Sequence, residues 1–143
     1  MKIFFRSLLN FADTWAAKKV VRVALFGQGL ATEEWQTLST TPYASLRPII
    51  RVVSHPSESE IMAIHGPLNS MNWHAFEQWA AAARMGTRFI AVGNEIQLSS
   101  DGRVIGPQGE LSQIQVNYLL PQNPPTPKDL RDTITCMLKV HHV

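Results

Sequence analysis

Five short runs, Val20 to Phe26, Arg47 to Val53, Ile61 to Ile64, Arg88 to Val92 and Val116 to Leu120, are apolar and rich in β-branched residues. Continuous apolar runs of this length suit strands covered on both faces, which are the strands of parallel sheets. Stretches with helical spacing lie between them. A helix is expected from about Thr32 as N-cap through Trp35 and Leu38, another over Met71 to Arg84 with Trp73, Phe76, Ala80 and Ala83 on one face, and a last one over Lys128 to Val140. Strands alternating with helices in 143 residues predict one α/β domain, a mainly parallel sheet with helices on both faces in a flavodoxin-like arrangement.

The remaining segments fill in this frame. Phe4, Leu8, Phe11 and Trp15 recur at helical spacing with Lys2, Arg6, Lys18 and Lys19 off the stripe, so residues 1–19 are read as an N-terminal amphipathic docking helix ahead of a domain over 20–143. That helix packs on its own domain, on a partner subunit or on a membrane surface. The polar segment Ile96 to Gln115 carries Asp101-Gly102, a turn signal for a small hairpin or an excursion. Leu120 to Pro127, Leu-Pro-Gln-Asn-Pro-Pro-Thr-Pro, links the fifth strand, read as buried, to the last helix. Its prolines pre-set φ and suit the first turn of a helix, so Asn123 is held at a fixed place beyond the strand end.

Composition narrows the function. No apolar run reaches the ~18 residues of a transmembrane helix, because Arg6, Arg22 and Arg84 interrupt the longest windows. A net charge of +2 is too small to imply nucleic acid. Cys136 is the only cysteine, so no intrachain disulfide forms; it falls mid-helix and is expected to face the core or a partner. Arg6 breaks the N-terminal apolar stretch and no small-x-small cleavage site follows, so the expected location is the cytoplasm.

The candidate sites are strand ends. Gly27-Gln28-Gly29 follows the first strand and precedes a helix, the arrangement that holds phosphate in flavodoxin-like and dinucleotide folds, although the third glycine of the full fingerprint is absent. Gly93-Asn94-Glu95 closes the fourth strand, and Gln122-Asn123 the fifth. In open α/β sheets, ligands bind beyond such carboxyl ends. Glu95 is read either as a carboxylate raised in pKa by burial and fit for proton transfer, or as a solvated loop residue. His55, His65, His74, His141 and His142 show no helical H-x-x-x-H pair, and no protein-built metal site is expected. His65, before Gly66-Pro67, suits a hydrogen bond to a backbone carbonyl. Trp15, Trp35, Trp73 and Trp79 are expected in the core or at a subunit interface. No nucleophile motif occurs, and no catalytic residue is assigned.

From about Val20 to Leu138 the chain resembles one family, the small subunit of nickel-iron hydrogenases with its relative, the twenty-kilodalton subunit of complex I (NADH:quinone oxidoreductase). Leu120 to Pro127 is similar to its I-P-G-C-P-P-x-P segment. Ser54-His55-Pro56-Ser57 through Ile61 to Pro67 looks like S-P-R-x-A-D followed by an apolar strand and T-G-P, and Phe89 to Glu95 looks like the strand ending in G-x-C. The family holds a 4Fe-4S cluster on four cysteine thiolates, two from the loop after the first strand, one from G-x-C and one from P-G-C-P-P.

At the matching positions this chain has Glu95 and Asn123, and its loop from Phe26 to Glu34 has no cysteine. Gln122 replaces the glycine and Ser57 the arginine of S-P-R. Clusters of this kind need soft thiolate donors, so the resemblance implies a vacated cluster site with no cofactor, in which Glu95, Asn123 and Gln28 find hydrogen-bond partners or the loops collapse together.

It further implies a non-redox structural or assembly subunit, not catalytic alone. Its partners would be a hydrogenase or complex I large-subunit-like protein and a membrane arm, and its place the inner face of the cytoplasmic membrane, held there peripherally through those partners. The alternative is an oxidoreductase subunit, or a flavin-, nucleotide- or quinone-binding protein, using the crevice of Gly27, Gln28, Gly29, Gly93, Asn94, Glu95, Gln122 and Asn123.

Overall fold

The computed structural model describes residues 20–36 and 49–141. The expected N-terminal helix, the continuation of the second helix to Leu38, the start of the second strand at Arg47 and His142 lie outside them. β1 (Val20–Phe26), β2 (Ile49–Val52), β3 (Ile61–His65), β4 (Arg88–Val92) and β7 (Tyr118–Leu120) form a five-stranded sheet in the order β2-β1-β3-β4-β7, every neighbouring pair parallel. This is the flavodoxin-like order, with its switch point between β1 and β3.

The alternation of side chains along each strand divides the core into two layers. Val21 and Val23 of β1, Ile61 and Ala63 of β3, and Ile90 and Val92 of β4 meet Leu30, Trp35, Leu130, Ile134 and Met137 on one face. Ala24, Met62, Ile64 and Phe89 meet Trp73, Phe76 and Ala80 on the other. The first layer is thus covered by α1 (Glu33–Gln36) and α3 (Pro127–His141), the second by α2 (Trp73–Ala81). Phe26 joins the second layer, its ring 5.6 Å from Phe76 and 5.2 Å from Trp79.

α2 begins at Trp73, two residues later than periodicity predicts, because two asparagines close its entry on each other. Asn69 N–H donates to Asn72 Oδ1 at 2.7 Å, and the N–H groups of Met71 and Asn72 donate to Asn69 Oδ1 at 2.9 and 3.1 Å. Met71 is left outside the helix and 92% exposed. α3 opens with a capping box: Thr126 Oγ1 donates to Asp129 Oδ2 at 2.7 Å and accepts from Asp129 N–H at 3.2 Å, with Pro127 as the first helical residue.

Between β4 and β7 the chain leaves the sheet. The Asp101-Gly102 turn forms as expected, with Gly102 N–H donating to Ser99 O at 3.0 Å and Ser99 N–H to Arg103 O at 2.8 Å. A second hairpin, unforeseen in the sequence, follows at once: β5 (Arg103–Ile105) pairs antiparallel with β6 (Leu111–Gln115). Buried Val104 pins this excursion to the α2 layer. Ser112, also buried, accepts from Val104 N–H at 2.9 Å and donates to Ile114 O at 2.8 Å, so its hydroxyl is satisfied.

Two expectations are corrected. The fifth strand is a sheet edge of three residues, with Leu120 buried and Leu119 60% exposed. It starts late because Asn117 takes over the ladder, its Oδ1 accepting from Phe89 N–H at 2.8 Å. Cys136 is exposed, on the side of α3 away from Ile134 and Met137, which rules out the core for it. No helix among the described residues is long and apolar enough to cross a membrane.

Candidate functional site

All the loops singled out in the sequence emerge from the carboxyl end of the sheet, and they converge on one side chain, His65 at the end of β3. Gly29 and Gly93 flank opposite edges of its imidazole. A Cβ added at Gly29 would lie 2.6 Å from Nδ1 and 2.7 Å from Cε1, and one added at Gly93 would lie 3.3 Å from Cδ2 and 3.4 Å from Nε2. Gly27, at φ +120°, passes so close to the His65 backbone that a Cβ there would meet its carbonyl oxygen at 2.5 Å. Only glycine combines that φ with that approach.

The loop after β7 closes the ring of contacts. Gly93 N–H donates to Leu120 O at 2.7 Å, and Pro125 Cγ comes within 4.0 Å of where a Gly93 side chain would stand. His65 is half-buried, but its Nδ1 is shut off from solvent and has no hydrogen-bond partner. The carbonyl bond foreseen for this residue is not made at that nitrogen.

The single crevice expected from the sequence is therefore divided. One cavity of about 320 Å³ lies at the β1/β3 switch point, lined by Gly27, Gln28, His65, Asn69, Met71 and Asn72 among others. Another of about 300 Å³ lies across Pro67, against Glu95, Ile96 and Gly106. Gly29 and Gly93 pack on His65 instead of opening to either, and Asn94, Gln122 and Asn123 line neither. Gln28, Glu95 and Asn123 are exposed; solvent takes the place of the protein partners foreseen for them, while the loops close on His65. Glu95 is thus the solvated loop carboxylate of the two readings. A larger cavity, of about 600 Å³, lies elsewhere, between α2 and β6, with Ala80, Thr87 and Ile114 among its walls.

The electrostatics do not favour phosphate at the first loop. A turn of 3-10 helix, Gln28–Leu30, intervenes between Gly27 and α1, and the first turn of α1 carries Glu33 and Glu34. Two carboxylates at a helix N-terminus oppose a bound anion.

The donor set does not fit an iron-sulfur cluster either. Among the described residues no group of three or more His, Cys, Asp and Glu is placed to hold a metal ion. Cys136 stands nine residues beyond Pro127 on α3, roughly 13 Å along the helix axis. The space between the three strand-end loops is taken by the His65 imidazole. The sequence signal for this was a bulky ring just before Gly66-Pro67 and two glycines on separate loops, which only the fold brings together. No family model and no curated protein matches the chain.

Proposed function

We propose that this chain is a cluster-free relative of the hydrogenase small subunit and the complex I twenty-kilodalton subunit, serving as a non-redox assembly subunit. The observation that carries the reading is the packing of His65 between Gly29 and Gly93, where the loops resembling the cluster-bearing ones meet. An apolar-walled, glycine-lined space filled by an imidazole has neither thiolates nor room for an inorganic cube. Support also comes from the order of the segments, which the parallel sheet delivers to one end, and from the retained proline frame around Asn123.

In this reading the partners are a large-subunit-like protein and a membrane arm, with the chain peripheral on the inner face of the cytoplasmic membrane through them. The strand-end face suits docking, because its loops expose mostly uncharged side chains, Gln28, Asn69, Asn94, Gln97, Gln122 and Asn123, with the acids Glu95, Glu33 and Glu34 beside them. Charge depletion of this kind marks the centres of protein interfaces.

The test is anaerobic purification of the natively expressed protein with its partners, followed by iron and acid-labile sulfide assay and mass spectrometry. The expected result is an iron-free chain bound stoichiometrically to a large-subunit-like protein. Stoichiometric iron and sulfide assigned to this chain would overturn the proposal.

A further inference from the structure

We infer that the cavity at the β1/β3 switch point is a binding site for an uncharged planar ring of nucleobase size that presents a hydrogen-bond donor and acceptor side by side. The inference is independent of the assembly reading, since it rests on the lining of one cavity. Location comes first: the loops after β1 and β3 lead away to opposite sides of the sheet, and the gap they leave is where open α/β sheets take ligands. The volume, about 320 Å³, is at the small end for a ligand pocket, enough for one ring system and too little for a whole dinucleotide.

The chemistry of the lining sets the class. No Lys, Arg, Asp or Glu lines the cavity, and Glu33 and Glu34 stand at the start of α1 just beyond its first loop. Phosphate and carboxylate ligands therefore find no opposite charge, and recognition falls to neutral groups. The Gln28 amide is exposed and makes no protein hydrogen bond among the described residues. It offers a donor and an acceptor on one plane, the pattern that pairs with a lactam or amidine edge. Asn69 spends its Oδ1 on the N–H groups of Met71 and Asn72, which leaves its Nδ2 as a second donor.

The shape agrees. Gly27 and Gly66 line the cavity with backbone alone; a Cβ at Gly27 would collide with His65 O at 2.5 Å, and one at Gly66 would crowd Glu95 Cβ at 3.1 Å. A flat ring can lie on such a surface. Met71, 92% exposed at the rim, is flexible and supplies a thioether for contact with an aromatic face.

Titration of the full 143-residue chain with uracil, adenine and nicotinamide, and in parallel with UMP, AMP and nicotinamide mononucleotide, followed by amide NMR shifts, tests this. The expected result is saturable binding of at least one free ring with a Kd below ~1 mM, centred on the Gln28, Gly29 and Asn69 signals, and a corresponding nucleotide that binds no tighter. Gln28→Ala, a surface change that leaves the urea midpoint in place, is expected to weaken that ring by about tenfold, whereas Glu95→Gln in the neighbouring cavity leaves it unchanged. Absence of saturation by any of the rings up to ~10 mM, indifference to Gln28→Ala, or a nucleotide that binds more than ~10-fold tighter than its ring would each overturn the inference.

Discussion

Replacing Gly29 by alanine tests the packing of His65 with a sign change that few core substitutions offer. Gly29 does not have a positive φ, so an alanine there meets no backbone penalty and, by restricting the unfolded chain, is worth ~0.4–1 kcal/mol on its own. Against this stands the new methyl at 2.6 Å from His65 Nδ1 and 2.7 Å from Cε1. An unstrained contact needs ~3.5 Å, so the ring must retreat by ~0.8–0.9 Å. Retreat is open only toward Gly93 on the opposite edge, where the missing side chain leaves about the room of one methyl, a Cβ built there standing 3.3 Å from the ring. Overpacking of this kind costs ~1–3 kcal/mol, so Gly29→Ala is expected to destabilise by a net ~1–2 kcal/mol.

In a His65→Ala background the obstacle is gone, and the same substitution is expected to be neutral or stabilising by up to ~1 kcal/mol. The assay is a double-mutant cycle by urea unfolding followed through tryptophan fluorescence, since Trp35 and Trp73 are buried in the two core layers. The cycle should return a coupling of ~1–3 kcal/mol. A Gly29→Ala effect equal in both backgrounds to within ~0.5 kcal/mol would refute the wedged imidazole.

Further expectations concern single residues. Gly27→Ala combines a φ of +120° with a Cβ 2.5 Å from a backbone oxygen, so it should destabilise by ~2 kcal/mol or more and, unlike Gly29→Ala, should not be rescued by His65→Ala in the same urea assay. Phe76→Ala removes a fully buried ring in contact with Phe26 and Trp73 and should cost ~3–5 kcal/mol, read as a lower thermal midpoint. Thr126→Ala opens the capping box of α3 and should cost ~0.5–2 kcal/mol by urea unfolding. The hydroxyl of Ser99, and after it the charge of Arg103, holds the Asp101 carboxyl below its ordinary 3.8. Its contribution to stability is therefore present above that value and is lost as pH falls through the lower folded one, and Asp101→Asn should flatten the acid limb of the urea midpoint below that value.

Much of the fold was legible because its elements are locally consistent. β1 and β4 have the bounds their apolar runs predict, since β-branched side chains covered on both faces leave little ambiguity. The common face of Trp73, Phe76 and Ala80 was legible from a helical period. What escaped depended on partners distant in sequence or on side chains that compete with the backbone. Asn69 and Asn72 shorten α2, and Asn117 shortens β7, by hydrogen bonds that periodicity does not register. The hairpin at Gly106 to Glu110 has no Asn-Gly signal; its turn is closed by Gly109 N–H on Gly106 O and by Glu110 Oε1 accepting from Gln108 N–H. At the site, the glycines were visible as a turn, but their purpose was not, because the ring they accommodate comes from a strand more than thirty residues away.

The proline segment after β7 has a physical task that does not depend on any ligand. An outer strand offers its unpaired amides and carbonyls as a template on which another chain can polymerise. Here that template is three residues long and ends at Pro121, which has no N–H to give, with Pro124, Pro125 and Pro127 close behind. A fourth residue of ladder is thus denied to an incoming strand while the same prolines turn the chain into α3. One proline-rich segment thus serves two ends, stopping the sheet at its outer strand and setting the entry of the helix that follows.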